Sequence, residues 1–238
     1  MELSIYEFCY FSLILIMILY ILLGARCIFN KEYNNYKIKY LHYDDIDTGD
    51  ILLVSYSSLN SMLNHSVIGL KFIHAAVCSR EGSNLYVYEL ANYFDKKVGF
   101  LKLPFSEWIK YNKNTLIMLN KLYIQDDSLQ KRKNLSLKFN NFREKYITGR
   151  EFDILDFFPR YLSPSRQYKE MDFNRENYAC YEVVLSMLKE SGIIENIMST
   201  ENYTTDDLVG MKSFDLNEKY NYDEYFLADI QSLKFMAD

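Results

Sequence analysis

Four cysteines, three histidines, three prolines and eight glycines are all that this 238-residue chain holds of those types. Two of the cysteines, Cys9 and Cys27, belong to one apolar N-terminal segment. That leaves Cys78 and Cys180, which excludes a disulfide framework and points to reduced thiols. Three scattered histidines with no CxxC or HExxH supply no metal-ligand set, so no zinc site is expected. Neither a P-loop nor GxGxxG occurs, and no cofactor is expected. The net charge of −5 comes without a strong basic stripe, so nucleic acid is not an expected partner. The short run Lys131-Arg132-Lys133 reads as a solvated helix face. Scarce glycine and proline beside abundant Tyr, Asn, Lys and Ile say nothing about mechanism. There is no internal repeat and no low-complexity tract.

Hydrophobic residues at 49% and aromatics at 16% argue for a packed globular chain. Less an anchor of roughly 30 residues, about 200 residues remain, which suits one domain with a full core. Residues 8–25, FCYFSLILIMILYILLGA, carry no charge and are long enough to span a bilayer as a helix. A cleaved signal peptide is the alternative. Glu2 and Glu7 precede the run with no Lys or Arg, and no small-x-small cleavage site follows, which favours an anchor. Arg26, Lys31, Lys37 and Lys39 come after it, so the positive-inside rule places the bulk of the protein on the cytoplasmic side.

The chain therefore divides into a transmembrane anchor (1–29), a polar juxtamembrane linker (30–43) and one soluble domain (44–238). Thr48-Gly49-Asp50 gives a turn before a strand at 51–56. Helical spacing over 57–70 predicts a helix crossing back over the sheet. Strands are predicted at 73–78 and 85–90, joined by a hairpin through Ser79-Arg80-Glu81-Gly82-Ser83-Asn84. A strand at 98–103, a short helix at 104–111 and a strand at 116–122 follow. Residues 128–147 read as a surface helix, 149–165 as an aromatic loop, and 176–191 as a helix ended by Gly192. The remainder reads as mostly loop with one or two short helices.

Three residues in this frame have matching chemistry: His74 in FIHAAV, Glu89 in YVYEL and Cys180 in NYACYEVV. Centring the hairpin on Glu81-Gly82 pairs Cys78 with Leu85 and His74 with Glu89, on one face of the sheet. A one-residue slip would send them to opposite faces. In that register the Glu89 carboxylate accepts from one imidazole nitrogen and leaves the other basic. A cross-strand polar pair on a solvated face is the bland alternative. Cys180 falls at the third helical position if Asn177 is the N-cap, where the helix dipole favours thiolate over thiol. Taken alone, it also fits a buried core cysteine sharing a face with Val184 and Met187. His65, on the predicted crossover helix, reads as structural or surface, Cys78 as a packed thiol, and His42 lies in the linker.

In sequence order these pieces resemble a known family, the circularly permuted papain-like hydrolases of the NlpC superfamily. The resemblance is to the YiiX-type and poxvirus branch, and more distantly to the lecithin:retinol acyltransferases. Thr48-Gly49-Asp50-Ile51-Leu52-Leu53 is similar to the family's opening GDI strand. Ile73-His74-Ala75-Ala76-Val77 resembles its histidine strand, and Val87-Tyr88-Glu89 its acidic strand. Gly149-Arg150-Glu151-Phe152-Asp153 is similar to a GxxYD segment. Tyr178-Ala179-Cys180-Tyr181-Glu182-Val183-Val184 resembles the nucleophile helix, with Tyr181 where Ser is common. Thr205-Asp206-Asp207-Leu208 is similar to a late (T/S)PxDL element without its proline. The order His, acid, Cys carries the permutation.

The resemblance implies an α+β domain, an antiparallel sheet with packed helices; the uncharged run at 8–25 would precede it as one N-terminal transmembrane helix. It implies Cys180 as nucleophile, His74 as general base and Glu89 as its orienter. Amide or ester bonds in a peptide, lipid or lipidated substrate would be hydrolysed or transferred through a thioester. The rival from another class is a non-catalytic structural or membrane-tethering protein, such as a viral one, that keeps the fold. A plain substrate-binding module is a third possibility. For a virus, the domain would face the virion interior.

Overall fold

The computed structural model describes residues 12–15, 17–18, 36–56, 70–93, 98–113, 115–147, 179–197 and 203–229. Most of the apolar run at 8–25 lies outside these residues; the described parts are helical, with Leu13, Leu15 and Met17 exposed. No helix among the described residues is long and apolar enough to cross a membrane. The expected crossover helix, which carries His65, and the aromatic loop at 149–165 also fall outside the described residues.

The fold is mixed α+β around a seven-stranded sheet. Its strands are β1 (Ile38–Tyr40), β2 (Ile51–Tyr56), β3 (His74–Glu81), β4 (Asn84–Asn92), β5 (Val98–Pro104), β6 (Thr115–Ile124) and β9 (Tyr220–Asp229). They lie in the order β1-β9-β6-β2-β3-β4-β5. Neighbours are antiparallel except β1 and β9, which run parallel. The helices are α1 (Phe105–Tyr111), α2 (Leu129–Phe142) and α3 (Cys180–Glu190). A small ribbon of β7 (Ile194–Asn196) and β8 (Asp215–Leu216) flanks a 3₁₀ segment at Asp206–Met211.

Both faces of the sheet are covered, which is why β2 reads as an unbroken apolar run. Ile51, Leu53, Ala75, Val77, Tyr88 and Leu90 pack against α2 and α3 through Leu135, Phe139, Val184 and Met187. Leu52, Val54, Ala76, Cys78 and Val87 point the other way, toward Phe105, Trp108 and Ile109 of α1. Each such buried aliphatic side chain is worth about 1.5–3 kcal/mol, so a one-residue slip would forfeit both faces together. Pro104 has no N–H to offer a ladder and ends β5, and Phe105, Trp108 and Ile109 fall at helical spacing directly after it. Ser128 caps α2, its hydroxyl accepting from Lys131 N at 3.2 Å.

The turn before β2 is held from several sides. Gly49 has φ +93, and a Cβ there would lie 2.2 Å from Leu122 Cδ2. The Asp50 carboxylate, fully buried, takes Lys121 Nζ at 2.6 Å, Leu122 N at 2.8 Å and Asp47 N at 2.9 Å. Burial pushes its carboxyl above the ordinary range, with Lys121 opposing.

Three expectations are revised. Part of the stretch read as linker is a strand: Ile38–Tyr40 pairs with β9, and Leu41 is buried. The C-terminal part read as mostly loop contains β9, a ten-residue strand beside β6. The β3–β4 hairpin turns at Gly82-Ser83, so Glu81 pairs with Asn84, Cys78 with Val87, and Glu89 with Ala76.

Candidate functional site

His74 opens β3, and Glu89 lies in β4 opposite Ala76, two residues further along. An offset of two keeps both side chains on the same face, since side chains alternate with period two. They meet there: His74 Nε2 is 2.7 Å from Glu89 Oε2. The carboxylate is fully buried and the imidazole 7% exposed, so the pair sits in a low-dielectric setting.

Two further groups converge on that carboxylate. Trp108 Nε1 donates to Oε2 at 2.8 Å, and the Tyr93 hydroxyl donates to Oε1 at 2.5 Å. Trp108 comes from α1, whose apolar face packs on this side of the sheet. Sequence reasoning missed both donors. The available signal was the chain's single Trp, placed at i+3 from Phe105 on a short helix that must bury one face.

Cys180 is the first residue of α3, and Ala179 is its N-cap. The expected third helical position, with Asn177 as cap, is thus corrected. Alanine has no capping side chain; instead Glu182 Oε2 reaches back to accept from Ala179 N at 2.6 Å. The Cys180 thiol is 2% exposed and donates to the Ile73 carbonyl at 3.8 Å. The helix lies on the sheet face opposite the His74–Glu89 pair, and the sulfur meets β3 at its opening. His74 and Glu89 are therefore in contact, and Cys180 is brought to the residue preceding His74.

The late Thr205-Asp206 element holds the same backbone. Asp206 accepts from Lys71 N at 2.9 Å and Phe72 N at 2.9 Å, and Thr205 Oγ1 donates to the Phe72 carbonyl. Burial pushes the Asp206 carboxyl up, against the pull of these donors. Lys71, Phe72 and Ile73 are thus each fixed by side chains from the C-terminal third of the chain, which sets where His74 begins.

Cys78 is fully buried between β2 and β4, and burial raises its thiol well above the ordinary value. His42 is exposed at the start of a 3₁₀ turn. Among the described residues, no group of three or more His, Cys, Asp or Glu side chains is placed to hold a metal ion.

No family model matches the chain, and no curated protein matches it. Among solved structures it is similar to the metalloprotein yiiX from Escherichia coli O157:H7, at 15% identity and a TM-score of 0.42. That match covers 75% of this chain and 89% of the other; at this overlap the likeness carries no weight for fold or chemistry.

Proposed function

We propose that this chain is a membrane-anchored cysteine hydrolase or acyltransferase of permuted papain-like type. The carrying observation is the buried His74–Glu89 contact, with the Cys180 thiol, at a helix start, meeting the carbonyl of Ile73, the residue before that histidine. With Nε2 engaged by Glu89, the thiol proton would pass to Nδ1, around the opening of β3 that separates the two side chains. The Cys180 sulfur attacks a carbonyl carbon and the carbonyl becomes an oxyanion. The first N–H groups of a helix have no intrahelical acceptor, so those of α3 suit that oxygen. His74 returns the proton to the leaving amine or alcohol as the C–N or C–O bond breaks. Water or an acceptor hydroxyl then attacks the thioester and the thiol is restored. The apolar run at 8–25 would hold the domain at a membrane, on its cytoplasmic or virion-interior side, within reach of peptide, lipid or lipidated substrates.

The burial of Cys180 supports the second reading, a structural or tethering protein that keeps this fold without turnover. One experiment separates them. The full chain is incubated with an activated acyl ester, quenched in acid and digested for mass spectrometry. Acyl mass on the Cys180 peptide, lost in His74→Ala, is the result expected of the enzyme. No acylation at Cys180 while the protein stays folded is the result expected of the structural protein.

A further inference from the structure

Ile38 and Tyr40 are 71% and 73% exposed, and both stand on β1, the end strand of the sheet. A singly exposed apolar side chain needs no explanation. These two lie at i and i+2, so they share one side of the strand, and Lys37 and Lys39 alternate with them. Tyrosine and lysine around an aliphatic residue suit the interfacial layer of a bilayer. The ring keeps its hydroxyl at headgroup level, and lysine extends its ammonium to water.

The tether limits where this edge can be. Phe29, the last residue read as anchor, and Ile38 are nine residues apart, at most about 32 Å even when fully extended. A domain of about 200 residues has a radius of gyration of about 16 Å and is about 40 Å across, so β1 cannot stand on its far side. Charge does not carry the contact. Lys37, Lys39 and Lys71 line one concavity with Asp223 and Glu224, and Lys39 pairs with Glu224. The edge is thus close to neutral, and insertion of Ile38 and Tyr40 is what remains. A second copy paired along β1 is the other occupant for such an edge, but a three-residue strand offers only a short ladder.

We propose that the β1 edge, through Ile38 and Tyr40, is a membrane-contact surface that lays the domain against the interfacial layer of the bilayer holding the anchor. This rests on the anchoring in the preceding reading and not on its chemistry. For the site the consequence is one of place. Tyr36 packs against Phe72, ring centroids 6.3 Å apart, and Phe72 precedes the Ile73 carbonyl that meets Cys180. Docking β1 therefore brings the opening of β3 beside the bilayer.

The test uses the full chain in vesicles of phosphatidylcholine, with and without phosphatidylserine. Three variants carry a photoreactive side chain: Ile38→p-benzoylphenylalanine, Tyr40→p-benzoylphenylalanine and Leu129→p-benzoylphenylalanine. Leu129, 87% exposed, is the control, because α2 packs on β3, four strands from β1. Thermal melts check that each variant is folded. Irradiation is expected to add a phospholipid mass at positions 38 and 40, with similar yield in both lipid mixtures, and little at 129. Equal lipid adduct at 129 overturns the proposal, since the probe's own apolarity would explain it. An adduct that forms only with phosphatidylserine overturns insertion in favour of charge. Chain-to-chain adducts at 38 or 40 without lipid overturn it in favour of a second copy. A chain that alkaline carbonate strips from the vesicles fails the anchoring reading and the proposal together. A chain that stays inserted yet gives no lipid adduct at 38 and 40 overturns the proposal and leaves the anchoring intact.

Discussion

Cys180 donates its thiol proton to the main-chain oxygen of Ile73, 3.8 Å away, so the start of α3 and the start of β3 are joined at one point. The two residues before Ile73 are gripped by Thr205 and Asp206. A thiol, an imidazole-bearing strand and a C-terminal clamp thus share one short segment, and the tests below address its parts separately.

Glu89→Gln keeps the shape of the side chain but leaves one acceptor oxygen where three groups now converge. At least one buried donor loses its partner, at a cost of about 1–3 kcal/mol. Denaturant unfolding of the full chain should show that loss. Unchanged stability would mean that the three contacts do not hold the carboxylate.

Gly49 and Gly82 both have positive φ, at +93 and +64, yet alanine should act very differently at the two. At Gly49 the new Cβ would lie 2.2 Å from Leu122 Cδ2, so strain and overpacking add to about 3 kcal/mol or more. At Gly82 nothing lies within 4 Å, and the cost is the left-handed backbone alone, about 1 kcal/mol. Equal melting-temperature losses for the two variants would contradict this placement of the β2 turn.

Asp50 and Asp206 have carboxyls raised mainly by burial. The native state therefore keeps protons that the unfolded chain releases. The stability these groups contribute is full below the ordinary carboxyl range, about pH 3.9, and is lost as pH rises through their raised values. Asp206→Asn retains a carbonyl acceptor for the Lys71 and Phe72 amides and cannot titrate. Its melting temperature should fall less than wild type between about pH 4 and about pH 7. Parallel profiles would assign the pH dependence elsewhere.

Much of this fold could be read from residue pattern, and the misses have local causes. The 73–78 and 85–90 strands are marked by alternation and a Gly-containing turn, but turn chemistry alone does not choose between Glu81-Gly82 and Gly82-Ser83. Moving the turn shifted the partner of Glu89 by two residues, from His74 to Ala76, and an even shift preserves the face. That is why the polar pair survives a wrong register. In β9, Asn221, Asp223 and Glu224 interrupt the apolar pattern, and the ladder to β6 is irregular at Lys121/Tyr123, so periodicity fades there. β1 is three residues long with every side chain exposed, and only its pairing with β9 makes it a strand. The helix start at Ala179 has no capping side chain of its own to announce it. Trp108 is not legible as a partner of Glu89 because the two lie 19 residues apart, beyond the reach of any local pattern.

Cys78 is the internal control for reactivity. It is fully buried and its thiol is raised by burial, so iodoacetamide should leave it unmodified in the folded protein and label it on unfolding. Labelling of Cys78 at the rate of an exposed thiol would contradict its place between β2 and β4.

The central claim is that Cys180 is an activated nucleophile served by His74. The most direct measurement is the site-mapped rate of iodoacetamide alkylation of the full chain from about pH 5 to about pH 9, beside His74→Ala and Cys78→Ser. The account predicts labelling of Cys180 far faster than that of Cys78, and its collapse in His74→Ala. Labelling of Cys180 at the rate of an ordinary thiol, or none until the chain unfolds, would contradict it and leave a core cysteine in a structural protein.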